Sequence, residues 1–399
     1  MSKSIFLLLL MFLGASSVLE VRAATFRVTR MDDRNLTTAG CPSSAGSDCS
    51  LREAMTIANA SAGADTIDIV VSTITLVIAE PLVVGGNGLT LNVNGATVQR
   101  SAAVGNFTIF VVTTPTAVFN SLIVSGGVEG AGCSGGGGIF VAGGTNLSVN
   151  NSTIRNNSAQ NGGAIYIDGG SPTTQITLTN SVVSNNSAAS SGSSFNGGGI
   201  YVESNSVLTL NGSTLSGNTS TGNGGGIFVD GTLTASNSQI NGSSAGGGGG
   251  IRLGNNGSVN LQNTNVFNNT ANIAGGGIIN LLETLTMGGG TISDNRSNGS
   301  GAGGLFNQGS VNLTGVTISS NNGSNGGGIG NTGNLVLTSS TVRNNFAIVG
   351  GGIANNGNPS VLSITVVCRE PRYRRLIRNR SKPSERELIL LRRRVCRRF

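Results

Sequence analysis

Gly224-Gly225-Gly226-Ile227-Phe228-Val229 is one copy of a pattern that returns along most of this chain. A glycine run closed by Ile or Leu ends at Ile139, Ile165, Ile200, Ile227, Ile251, Ile278, Leu305, Ile329 and Ile353. The steps between them are 26, 35, 27, 24, 27, 27, 24 and 24 residues. A repeat of this length implies stacked units, each burying its apolar face only against its neighbours. Within a repeat, one short apolar strand follows the glycines, as in Ile165-Tyr166-Ile167. A second reads apolar-x-apolar, as in Leu208-Thr209-Leu210, and a third centres on Ile154, Val183, Leu215, Ile240, Val266, Ile292, Ile318 or Val342. Alternation with period two marks half-buried strands, and helical periodicity is missing from the repeats. Three short strands per repeat predict an all-β fold, one coil of a parallel β-helix per repeat. A β-propeller blade needs about 40 to 45 residues.

Three residues after each third-strand centre stands Asn157, Asn186, Asn218, Asn269, Asn295, Asn321 or Asn345, and only Ser243 breaks the series. Asn suits a left-handed bend between strands. In register, its amides can also bond to one another along the stack. That double role accounts for these asparagines better than glycosylation of the sequons many of them fall in.

Glycine contributes 64 of 399 residues and aromatic residues 4%. Because the glycine is periodic, the composition describes one elongated domain over 65–358 and not a disordered tract. Residues 1–23 read as an export signal: Lys3, an apolar run from Ile5 to Ala15, then Val21-Arg22-Ala23 at the cleavage positions. The run is short for a membrane span, and no transmembrane helix is expected elsewhere. The expected location is secreted, cell-surface or outer-membrane.

Residues 24–64 differ from the repeats. Ser50 and Glu53 have the spacing of a capping box, and Leu51, Ala54, Met55 and Ala58 fall on one face of a short helix. This helix is expected to cover the open N-terminal end of the coils. Cys41 and Cys49 are either a disulfide pinning it, worth roughly 2–3 kcal/mol, or two free thiols.

Cys49-Ser50-Leu51-Arg52-Glu53-Ala54 resembles the signature of bacterial CSLREA-domain proteins. The repeats, such as Thr214-Leu215-Ser216-Gly217-Asn218, resemble those of chlamydial polymorphic outer-membrane proteins. The resemblance implies a right-handed, single-stranded parallel β-helix of pectin-lyase-like type, secreted or surface-exposed. Such proteins commonly carry a C-terminal anchoring module, and none is visible in this sequence. From Arg369 to Phe399 there are instead 13 Lys/Arg against 3 Glu, so the net charge of +7 belongs to the tail. Residues 359–399 read either as a basic arm for nucleic acid or an anionic surface or as out-of-frame translation. The bases for Val367-Cys368-Arg369-Glu370-Pro371, shifted by one, can read Val-Ser-Gly-Thr, which favours the second. Val361 to Val367 is strand-capable.

The chain has no His, and no Lys between Ser4 and Ser381. Hydrolases need carboxylates flanking the scissile bond. The acids of the repeats, Glu129, Asp168, Glu203, Asp230, Glu283 and Asp294, are spread mostly one per coil and read as solvated turn residues. Asp168 and Asp230 share a position two coils apart. No metal site is expected: Cys133 stands alone and the calcium-binding nonapeptide is missing. No cofactor and no catalytic residue is assigned. The sequence points to a non-enzymatic, adhesin-like surface scaffold that binds a saccharide or a host or neighbour-cell protein. The alternative is a carbohydrate-active lyase or hydrolase on the same fold. Nucleic acid is not expected to bind the body. Phe140, Tyr166, Tyr201 and Phe228, each following a core Ile, should form an outward aromatic stripe. It would be either a binding platform or rings stacked on one another to shield the sheet.

Overall fold

The computed structural model describes residues 23–35, 41, 48–130, 135–189 and 195–356, with the backbone of Leu362–Ile364 and Ile377–Asn379. The hydrophobic leader, Cys133 and the rest of the basic tail lie outside the described residues. The chain is mostly β with one short helix, wound as a parallel β-solenoid of about 11 turns.

Strands of successive coils pair in parallel to build three long sheets of 13, 12 and 11 strands. The 12-stranded sheet holds the strands that follow the glycine runs. In it Ile139, Ile165, Ile200, Ile227, Ile251, Ile278, Leu305, Ile329 and Ile353 pair with one another in one unbroken column. All nine are fully buried. The apolar-x-apolar strands form the 13-stranded sheet, and the Ile154-type strands form the 11-stranded one. A core of this shape follows from identical side chains meeting in register about 4.8 Å apart.

A fourth, six-stranded sheet was not foreseen. It runs from Ser158–Ala159 to Arg296–Ser297 and consists of strands two to five residues long. Segments such as Ser-Ala carry too few apolar residues for period-two alternation to register. The 13-stranded sheet also starts earlier than the repeats do, with Thr25–Val28 pairing beside Asp65–Ile69. It runs past Asn358, because Leu362–Ile364 pairs with Asn334–Thr338. Ile377–Asn379 likewise extends the 12-stranded sheet.

The glycine run is explained at Gly224 and Gly225. Gly224 has φ +63°, and a Cβ there would lie 2.4 Å from the Ile227 carbonyl oxygen. A Cβ on Gly225 would lie 2.4 Å from the Ser244 oxygen and 2.5 Å from that of Gly249, both in the next coil. The first glycine therefore makes the turn, and the second lets adjacent coils close.

The asparagine series needs one correction. The left-handed residue is the one before each ladder Asn: Asn156, Asn185, Asn268, Asp294, Ser320 and Asn344, with Gly217 and Gly242 in the same place. The ladder residues themselves point inward and are buried. Asn157 Nδ2 donates to Asn186 Oδ1 at 3.0 Å, and Asn186 Nδ2 to Asn218 Oδ1 at 3.0 Å. Each also donates to a third-strand carbonyl of the previous coil, as Asn218 does to Val183. Ser243 interrupts the amide contacts, and the chain resumes through Asn269, Asn295, Asn321 and Asn345. Burial of this kind removes Asn218 and Asn295 from the reach of a glycosylating enzyme. A second ladder, Asn280, Asn307, Asn331 and Asn355, runs along the end of the 12-stranded sheet.

The cap is organised by the Cys49–Ala54 motif, and each residue of it has a structural task. Cys49 is disulfide-bonded to Cys41, with Cα atoms 4.9 Å apart. Ser50 caps the helix Leu51–Ala60 by accepting from Glu53 N, while Glu53 Oε2 accepts from Ser50 N at 2.9 Å. Leu51 and Ala54 are buried in the core. Arg52 reaches Asp33 with two bonds, Nε to Oδ1 at 2.6 Å and Nη2 to Oδ2 at 3.1 Å. Asp33 also accepts from Val77 N and Ile78 N, and Arg52 donates to the carbonyls of Glu80 and Pro81. This buried pair ties the helix to the first coil.

Candidate functional site

The outer face of the 12-stranded sheet gathers the aromatic residues. Pairing sets Phe140 beside Tyr166, Tyr166 beside Tyr201 and Tyr201 beside Phe228. Their ring centroids are 5.7, 5.1 and 5.1 Å apart, with planes inclined by only 4°, 7° and 10°. Near-parallel stacking follows from equal side chains on equal backbone positions one coil apart. The next residue in register is Arg252. Its guanidinium donates to Asn223 Oδ1 at 2.6 Å. Burial lowers its pKa, against the raising effect of the Asp230 charge.

The expected open stripe is corrected by its surroundings. Tyr166 is 7% and Phe228 8% exposed, while Phe140 and Tyr201 are half-buried. Glycine-rich backbone lies against the rings: a Cβ on Gly135 would come within 2.5 Å of Tyr166 Cδ2. Strand alternation alone did not reveal this cover, because it comes from another coil: Gly135 precedes the strand Ile139–Val141 but lies against the Tyr166 ring of the next strand.

Beside the rings runs a row of carboxyls. Tyr166 Oη donates to Glu203 Oε2 at 2.9 Å, and Tyr201 Oη donates to Asp230 Oδ2 at 2.9 Å. Each tyrosine thus reaches the acid of the next coil. Glu203 Oε2 also accepts from Gly169 N at 3.3 Å, and Asp230 Oδ1 accepts from Asn255 N at 3.1 Å. Burial raises the pKa of both hydroxyls; the neighbouring carboxylates raise it further, so both tyrosines stay neutral donors. Asp168, one coil before Glu203, has its pKa raised by burial, then by its hydrogen bond to Glu203 and by that residue's charge. Asp168 is thereby held above the usual carboxylate range by burial and by its place beside Glu203.

Sequence reasoning separated Asp168 from Asp230 and left Glu203 out of that comparison. The missed signal is a four-residue motif in three successive coils: Ile165-Tyr166-Ile167-Asp168, Ile200-Tyr201-Val202-Glu203 and Ile227-Phe228-Val229-Asp230. Its acids line up because the register is kept. Glu129 stands apart; burial raises its pKa, and it accepts from Gln160 N. Among the described residues, no group of three or more His, Cys, Asp or Glu side chains is placed to hold a metal ion. Comparison with protein-family models, with curated proteins and with solved structures finds no match for this chain. Among the described residues, no helix is long and apolar enough to cross a membrane.

A shallow cleft of about 180 Å³ lies beside the cap helix, lined in part by Arg52, Met55, Asn59 and Glu80. Its one cation, Arg52, is committed to Asp33.

Proposed function

We propose that this chain is an exported, non-enzymatic β-solenoid acting as a surface or adhesin-like scaffold. It would be of the CSLREA type, right-handed, with repeats like those of chlamydial polymorphic outer-membrane proteins, and its partner would be a surface saccharide or a host or neighbour-cell protein. The observation that carries the reading is the use made of the carboxyl row beside the rings. Glu203 and Asp230 accept tyrosine hydroxyls from the preceding coil and backbone N–H groups from their surroundings. Carboxylates held in this way stiffen a long rod and leave the half-buried rings of Phe140 and Tyr201 to meet a partner. Purified protein should adhere to a polysaccharide or cell surface without changing it. Tyr201→Ala, at a half-buried ring, should weaken that adhesion. Unchanged adhesion across the Phe140, Tyr166, Tyr201 and Phe228 alanine variants would remove this face from the proposal.

The carbohydrate-active alternative rests on Asp168 and Glu203 following paired strands of adjacent coils, where burial and the Glu203 charge push Asp168 up. An acid of raised pKa near a second carboxyl is the equipment of glycoside hydrolysis, which in retaining enzymes holds the two about 5–5.5 Å apart. New reducing ends, or ultraviolet-absorbing unsaturated products, from a polysaccharide panel would establish this alternative.

A further inference from the structure

Asp65 opens the strand Asp65–Ile69 and is 1% exposed. Its Oδ1 accepts from Ala24 N at 2.7 Å. Its Oδ2 is buried without a hydrogen-bond partner. Among the described residues, no ion pair includes Asp65. A buried carboxylate with half its acceptors idle is a costly arrangement that calls for a cation. The nitrogen already touching it belongs to the residue that follows Val21-Arg22-Ala23. Ala23 is exposed, whereas Ala24 is partly buried and its carbonyl accepts from Thr66 N at 2.8 Å.

We infer that Asp65 is the receptor for a new N-terminus at Ala24, made when the leader is cut off, so that processing completes the cap. Hydrolysis of the Ala23–Ala24 bond by an endopeptidase that accepts small residues adds one water. Ala23 leaves as a carboxylate, and Ala24 keeps the amine, which takes up a proton at neutral pH. The same nitrogen then carries a positive charge and three N–H donors in place of one, enough to serve both Asp65 oxygens. The strand Thr25–Val28, in register with Thr66–Ile69, is thereby anchored at its first residue. Before cutting, the amide satisfies only one oxygen. The inference rests on the export reading above, and its test keeps the two apart.

The chain expressed with its own leader should be recovered outside the cytoplasm beginning at Ala24, by N-terminal sequencing. The chain from Ala24 to Phe399, released from a fusion that leaves no extra residue, is then compared with the same chain acetylated at its N-terminus. Lys382 is the one lysine in that span, so Lys382→Arg makes acetylation specific to the α-amine. Acetylation should lower the thermal melt by several degrees and speed amide exchange in Thr25–Val28. In Asp65→Asn it should change neither. A chain correctly cut at Ala24 whose melt and exchange ignore acetylation overturns the inference and leaves the export reading standing. An exported chain that begins elsewhere also overturns it. A chain that keeps its leader inside the cell overturns both.

Discussion

The cap and the coils solve the same problem, holding a thin β structure together, by opposite means. The cap, residues 24–64, relies on single events: one disulfide, one capping box, and the ion pairs Arg52–Asp33 and Arg34–Glu53. The coils carry little charge and rely on recurrence: stacked Ile, buried Asn amides and aligned rings, each paired with its own kind one coil away. A side chain in the cap meets particular partners of a different kind that no other residue can replace. A coil residue has two neighbours of the same type. The cap should therefore fail through loss of a particular pair, and the coils through any residue that does not fit the column.

The largest effect is expected at the centre of a column. Ile227→Asp puts an unpaired charge where the side chain is fully buried between Ile200 and Ile251. It should cost more than about 4 kcal/mol and unfold several coils. Circular dichroism and protease resistance would show it; a folded, protease-resistant variant would deny that the column is continuous.

Next comes the cap. Arg52→Ala leaves Asp33 buried without its cation and should cost about 3–5 kcal/mol, releasing the helix and Thr25–Val28 before the coils. The paired change Arg52→Met with Asp33→Leu should recover part of the loss in a melt. Equal losses in the single and the double variant would mean that the pair is not what joins helix to coil.

The amide ladder comes third. Asn218→Ala removes the acceptor used by both Asn186 N and Asn186 Nδ2, and should cost about 1–3 kcal/mol. Ser243→Asn, at the interruption, should instead gain about 1 kcal/mol by joining the two ladder segments. Denaturant melts of the two variants should move in opposite directions. If Ser243→Asn destabilises, the space at that coil and not the missing amide governs the position.

The smallest effect separates the two regions by pH. In the cap, Asp32 lies below its ordinary pKa chiefly through its hydrogen bond with Arg30. Burial pushes Glu53 up, but hydrogen bonds from Ser50 and Arg34 outweigh it and its carboxyl also lies low. Groups with a lowered folded pKa stabilise above their unfolded pKa, and that contribution is lost as pH falls through the folded value. Asp168 is raised, so its contribution is full below its unfolded pKa and is lost as pH rises through the folded value. Acidification from neutral pH should therefore speed amide exchange in the cap and slow it around Asp168. Asp168→Asn should abolish the second change and leave the first. Parallel pH responses in both regions would show that Asp168 does not lie above its ordinary pKa.

The sequence by itself determined the solenoid. The spacing of Ile139 through Ile353 fixes the coil length, and period-two alternation fixes which side chains turn inward; both are local quantities. The capping box was legible for the same reason, since Ser50 and Glu53 meet within one helical turn. Tertiary structure decided what happens between coils. It showed that Tyr166 bonds to Glu203 across 37 residues, that glycine backbone covers the rings, and that Asn156, not Asn157, takes the left-handed bend. It also placed Ala24 N against Asp65, 41 residues apart. Such contacts depend on a register set by all the coils together, and neighbours on the chain carry no trace of it.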